Sequence, residues 1–462
     1  MTPQRTIIRG GHVLPLTETG PAFGTATRGD VLIENGKIAA CGPHLAASDA
    51  EVIDATDCLV MPGLIDTHRH VWQTALRGVC HDDTLKGYMR AIRFLRAKVY
   101  RPEDIYLGNW AGMLEAINAG ITTVFDFSHC INSPAHGDAA IKGLQDSGAR
   151  AIFGYGFNDV PLPKANFSGL AARCADLRRV RRDLLGADDT LVTMGVATSD
   201  LVICGIDQFK AEMQEARALG LPISIHSNTW EFPERIPEVT LMRQHELLGP
   251  DLLFVHTNLS SDDEIRMIAD TGGAIASTPE TEMQMSMGPS VIGRFMQAGG
   301  LPTFGCDIIS NNSGDLLVQA RLAMQTQRML DNAKDLAQHE GAEVVSISTR
   351  DMLRAMTTNA ARALGLERKI GSLVPGKDAD LILLRLDDIN TMPMNDPVAT
   401  LLLHAHPGNV DTVMVAGQIL KRGGRLVADL ARARRLMAES QAYIVDAIGK
   451  TAPTLPGGYK AN

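Results

Sequence analysis

Two histidines one residue apart end an apolar run in "MPGLIDTHRHVWQT", residues 61–74. Alternate side chains of a β-strand share a face, so His68 and His70 are expected to point together while Arg69 points away. Imidazole ligates metals and exchanges protons near neutrality, which makes either chemistry available to a converging pair. Three further apolar runs end in groups of the same kind: "PISIHS" carries His226, "LLFVHT" carries His256, and "PTFGCD" closes on Asp307. Five ligand or acid–base groups at the ends of four apolar runs call for a scaffold that gathers strand ends onto one rim.

The chain between residue 61 and about residue 365 supplies such a scaffold. Eight short β-rich runs, "GLIDTH", "TTVFDF", "RAIFGYG", "LVTMGVA", "PISIHS", "LLFVHT", "GAIAST" and "PTFGCD", alternate with helical stretches such as "DQFKAEMQEARALG" and "SSDDEIRMIADTG". Strands that are apolar throughout are expected where both faces are covered, and eight strand–helix units predict a (β/α)8 TIM barrel, whose chemistry sits at the C-terminal strand ends. On this count the groups named above belong to strands one, five, six and eight. Residues 61–365 are therefore read as the barrel. Residues 1–60 and 366–430 have a strand–turn–strand texture, as in "GDVLIENGKIAACG" and "VDTVMVAGQILKRGGRLV", and are read as one small β-sandwich built from both chain ends. Residues 431–462 are read as a closing helix and tail.

Composition narrows the partner. With 462 residues, 45% of them hydrophobic, the chain can bury a large core. A formal charge of -9 and the lack of a basic run argue against a nucleic-acid partner. No window approaches the roughly 20 apolar residues of a membrane span. A small-molecule substrate and a cytoplasmic setting are expected. Seven scattered cysteines with no CxxC pair indicate neither a disulfide framework nor a sulfur-ligated zinc.

The words "PGLIDTHRH", "ISIHS", "FVHTNLSSDDE", "GCDIISNNSGD" and "GSLVPGKDADLILL" resemble the amidohydrolase superfamily, most closely its cytosine and guanine deaminase and triazine hydrolase group. The resemblance covers nearly the whole chain. It implies that His68, His70, His226 and Asp307 hold a metal and that His256 stands beside the bound water and substrate. Three neutral imidazoles and one carboxylate suit one divalent ion, zinc first and iron(II) second, with a position left for water. Such an ion lowers the pKa of water, and Asp307 could accept the proton. Relatives with two metals bridge them by a strand-four lysine; "LVTMGVATSDLV" has none, which favours a single metal. The implied protein is a homo-oligomer, dimer or tetramer, hydrolysing a C–N bond of a small cyclic or heteroaromatic compound. The alternatives are hydrolytic removal of another leaving group, as in dechlorination or lactone hydrolysis, and a non-catalytic relative.

One departure bears on mechanism. The related deaminases carry a Glu three residues after the strand-five His, where it shuttles a proton to the substrate ring; this chain reads "HSNTW", with Thr229 there. A hydroxyl is no acid near neutrality. Glu280 and Glu282 in "STPETEMQMSMG" are the first substitute candidates, and Glu231 the next. Met283, Met285 and Met287 are candidates to line an adaptable apolar pocket, plain packing being the commoner role of such a run. Trp72, Gln73 and His129 are the remaining rim candidates for substrate contact, the indole by stacking and the imidazole by hydrogen bonding.

Overall fold

The computed structural model describes residues 5–17, 23–157, 167, 169–230 and 236–451. Eight parallel strands form one continuous sheet in sequence order: Leu64–Arg69, Ile121–Ser128, Arg150–Gly156, Val192–Ala197, Ile223–Ser227, Leu252–His256, Ala274–Ser277 and Pro302–Phe304. The first six carry at most one residue each that is not fully buried, as expected of strands covered on both faces. Helices fill the intervals, with their ends set by local chemistry. Asp262–Asp270 begins in a capping box, Ser261 accepting from Glu264 N. Ile206–Ala218 is followed by Gly220 at φ +65°, a left-handed stop that favours glycine.

The barrel closes at the place where chemistry is expected. His70 N donates to Asp307 O at 2.8 Å and Asp307 N donates to His68 O at 2.9 Å, joining the eighth strand's end to the first. Gly305 makes the approach possible: a Cβ there would lie 2.4 Å from His68 O. Arg69 points outward from this seam, as strand alternation requires, and its Nη2 meets Glu115 Oε2 at 2.6 Å on the helix Pro102–Asn118.

Both chain ends join a second, nine-stranded mixed sheet. Its junction is Cys58–Pro62 paired antiparallel with Leu381–Arg385, from Cys58 opposite Arg385 to Pro62 opposite Leu381. Val31, Ile33, Val60, Leu381, Leu383 and Met414 form a core of its own. Arg150, at the start of the third barrel strand, ties sheet to barrel through Asp380 at 2.9 Å and Asp378 at 2.8 Å. Both aspartates lie in the "GKDAD" segment. Leu430–Thr451 is the closing helix. Among the described residues no helix is long and apolar enough to cross a membrane.

Candidate metal and catalytic site

The five rim groups meet. The rings of His68 and His70 lie 4.8 Å apart, and that of His226 lies 5.1 Å from His68. Donor atoms of His68, His70 and Asp307 fall within 4.8 Å of one another, as do those of His68, His226 and His256. His68 Nε2 is 3.2 Å and His70 Nε2 is 3.4 Å from Asp307 Oδ1. Ligands on a tetrahedral zinc with bonds of ~2.1 Å stand roughly 3.4 Å apart, so the distances from His68 and His70 to Asp307 fit one first-row ion.

Two rings are held by their far nitrogens. His70 Nδ1 donates to Phe127 O at 2.8 Å, and His226 Nδ1 faces Asp200 Oδ1 at 3.3 Å. A proton on Nδ1 leaves Nε2 as the lone-pair donor toward the centre, the arrangement by which carboxylates and carbonyls orient ligating histidines. Burial pushes His68 down to about 4 and holds His70 well below the ordinary histidine value, so both rings are neutral. Burial alone would raise the Asp307 carboxyl, but the hydrogen bond with His68 and the charge of His256 hold it well below the usual carboxylate range. Asp307 has φ 58° and His256 φ 69°. Left-handed backbone at non-glycine residues costs of order 1–3 kcal/mol each, here held by the closing seam and the buried surroundings.

His256 has a different partner set. Its Nε2 is 4.0 Å from Asp307 Oδ2, while Nδ1 faces Thr278 Oγ1 at 3.0 Å and Glu282 Oε1 at 3.6 Å. Burial opposes its charge, yet Glu282 and Asp307 together raise its pKa above the ordinary value. Glu282 is fully buried and accepts from Thr278 N at 2.7 Å and Ser277 Oγ at 2.8 Å. It stands behind His256, and the "STPETE" run that carries it forms the short helix Pro279–Gln284.

A cavity of about 360 Å³ opens over this cluster. His70, His129, His226, Thr229, His256 and Asp307 line it, as do Met285 and Met287. Glu280 lies elsewhere: its Oε2 accepts from Ser313 at 2.9 Å and Gln319 at 2.6 Å, which joins the strand-seven and strand-eight loops. Trp72 is fully buried beneath the wall and donates from Nε1 to His129 Nδ1 at 3.0 Å. Gln73 is likewise buried, donating to Tyr88 Oη at 2.7 Å and accepting from Ser310 Oγ at 3.2 Å. Met283 is exposed. Glu231 lies outside the described residues.

Asp200 and Arg93 are the charged cavity residues that sequence reading passed over. Asp200 sits just past the fourth strand, in the stretch read only for a missing lysine, and an acidic residue at that rim position was a usable signal. Arg93 lies in the helical segment Met89–Arg96 of the long connection after strand one, where nothing in the sequence distinguishes it from Arg90 or Arg96.

Residues 59–420 match the model of the Amidohydrolase family. A 5-methylthioadenosine/S-adenosylhomocysteine deaminase of Pyrococcus furiosus is 29% identical over 429 residues, spanning 91% of this chain and 96% of the relative. One of Symbiobacterium thermophilum is 30% identical over 441 residues, spanning 90% and 93%. Among solved structures, an adenosine deaminase of Xanthomonas campestris with bound zinc is similar at a TM-score of 0.84 and 23% identity, over 96% of this chain and 99% of that one.

Proposed function

The chain belongs to the amidohydrolase family, and from that premise we propose that it uses a single zinc ion, held by His68, His70, His226 and Asp307, to hydrolyse an exocyclic C–N bond of a small heteroaromatic compound. The family is metal-dependent, and its curated relatives here are deaminases. The observation that carries the reading is the meeting of His68, His70 and Asp307 at separations a tetrahedral ion accepts, with His226 gathered against His68 beside them, at the base of a cavity of ring size. When bound, the ion supplies Lewis-acid polarisation and a water of lowered pKa.

The chain's own residues do the rest. Asp307 accepts a proton at Oδ2, the oxygen that faces His256. His256 carries protons on the substrate side, with Nδ1 directed toward Thr278 and Glu282 so that Nε2 faces the cavity. Glu282 acts through that ring as a positioning residue and touches no substrate. Thr229 lines the cavity where the related deaminases carry their proton-shuttling Glu. Met285, Met287 and Trp230 add apolar walls suited to a flat ring.

One observation supports a second reading, loss of chloride or an alkylamine. Among the described residues the cavity has two carboxylates, Asp200 and Asp307, and both face imidazoles. A reaction that needs no protonation of the ring nitrogen is served by that arrangement. Metal analysis joined to release assays for ammonia, alkylamine and chloride across amino- and chloro-substituted heterocycles tests both. The expected result is about one zinc per chain and ammonia release that chelation abolishes and zinc restores. A content near two, or turnover indifferent to chelation, would overturn the proposal.

A further inference from the structure

Arg93 presents a physical problem. It is 6% exposed, and no carboxylate among the described residues lies within ion-pairing distance of it. Its one protein acceptor there is His129 O, met by Nη1 at 2.6 Å. Burial pulls its pKa below the ordinary arginine value, although it stays charged. Removing a guanidinium from water without a carboxylate in contact is costly. A fold that keeps one on a cavity wall has use for the charge.

The setting favours a ligand as that counter-charge. Arg93 lines the same cavity as His70 and Asp307. It is one residue removed from the metal cluster, because His129, whose carbonyl it binds, stacks on His70 at 3.9 Å. With Nη1 engaged, nothing among the described residues takes the Nε–Nη2 edge, which carries two parallel N–H groups matched to a planar oxyanion. Asp200 shares the cavity, but its Oδ1 faces His226 Nδ1 at 3.3 Å. One guanidinium in a cavity that also holds that aspartate suits a monoanion better than a dianionic phosphate.

We propose that Arg93 forms an anion subsite in the reaction cavity, and that the natural substrate carries a carboxylate on the side of the ring away from the bond that is hydrolysed. This rests on the hydrolase reading of the same cavity and adds the substrate class to it.

The test reads binding rather than turnover, so a failure of the hydrolase reading leaves it intact. Calorimetry on the metal-loaded full-length protein would compare benzoate with benzamide, its neutral counterpart of the same shape, and with inorganic phosphate. Wild type is expected to prefer benzoate over benzamide by about 10- to 100-fold, the range for hydrogen bonds to charged groups. Arg93→Met is expected to abolish the preference with metal content unchanged. Arg93→Lys keeps charge without the planar fork and is expected to weaken benzoate about tenfold; it carries the test if Arg93→Met does not fold. Equal affinities in wild type, tighter binding of phosphate than of benzoate, or unchanged benzoate affinity in Arg93→Lys would overturn the proposal. So would a preference that survives Arg93→Met, which would put the carboxylate on the metal instead.

Discussion

Replacing Glu282 by Gln separates a positioning role from direct acid catalysis. The carboxylate is fully buried, lies 3.6 Å from His256 Nδ1 and accepts from Ser277 and Thr278. At that distance and an effective dielectric of 20, its attraction for a positively charged His256 is roughly 5 kcal/mol before relaxation. Gln keeps the shape and removes the charge. Part of the Coulomb energy is recovered by reorganisation, and general acid–base catalysis is worth about 10²- to 10⁴-fold, so kcat is expected to fall by ~10² to 10³. The amide also offers one acceptor oxygen to two donors, at about 1–3 kcal/mol of stability. Denaturant unfolding measures that cost separately from rate. The deciding assay is a double-mutant cycle with His256→Gln on the metal-loaded enzyme. If Glu282 acts through the ring, the double variant should be little slower than His256→Gln alone. A Glu282→Gln enzyme with kcat within a few-fold of wild type, or two losses that multiply in the double variant, would refute the reasoning.

Asp200→Asn should weaken zinc binding by about 10- to 100-fold through loss of the carboxylate that orients His226; competition with a chromogenic chelator measures it, and unchanged affinity would release Asp200 from that role. Thr229→Glu restores the residue that the related deaminases carry at a cavity position, and ammonia release from cytosine- or guanine-like rings is expected to appear or to rise by ~10²-fold. A folded, metal-loaded variant with no such gain would mean that Thr229 does not set the choice of reaction. Glu238 tests linkage: burial pushes it from 4.5 up to about 8, against the Asn228 N–H that it accepts. Its folded pKa exceeds its unfolded one, so its contribution to stability is fully present below about pH 4.5 and is lost as pH rises through about 8. Urea unfolding of wild type minus Glu238→Gln should show that loss, on the order of 3–5 kcal/mol, and a difference that does not vary with pH would contradict it.

The parts of the fold that were legible in the sequence are those governed by short-range periodicity. All eight quoted runs overlap the eight barrel strands, because a strand buried on both faces must be apolar along its whole length. The helix Asp262–Asp270 was equally readable, its start marked by Ser261 and Glu264 and its exit by Gly272 at φ +77°. Candidate ligands were found the same way: two-residue alternation pairs His68 with His70, and a barrel presents strand ends together. Loop residues followed no such rule. Glu280 and Glu282 are two positions apart, yet one ties two loops together and the other backs His256, because a single helical turn sends them in different directions.

The sequence by itself therefore determined which strands build the barrel and which side chains crowd its rim, since both follow from chemistry repeated every two residues. Only the tertiary structure decided what each side chain meets. Asp200 faces His226 across 26 positions, Arg93 reaches the carbonyl of His129 across 36, and Trp72 turns from the cavity to His129 across 57. Those pairings depend on how separate loops are packed over one rim, and hydrogen-bond partners brought together by packing leave no periodic trace along the chain.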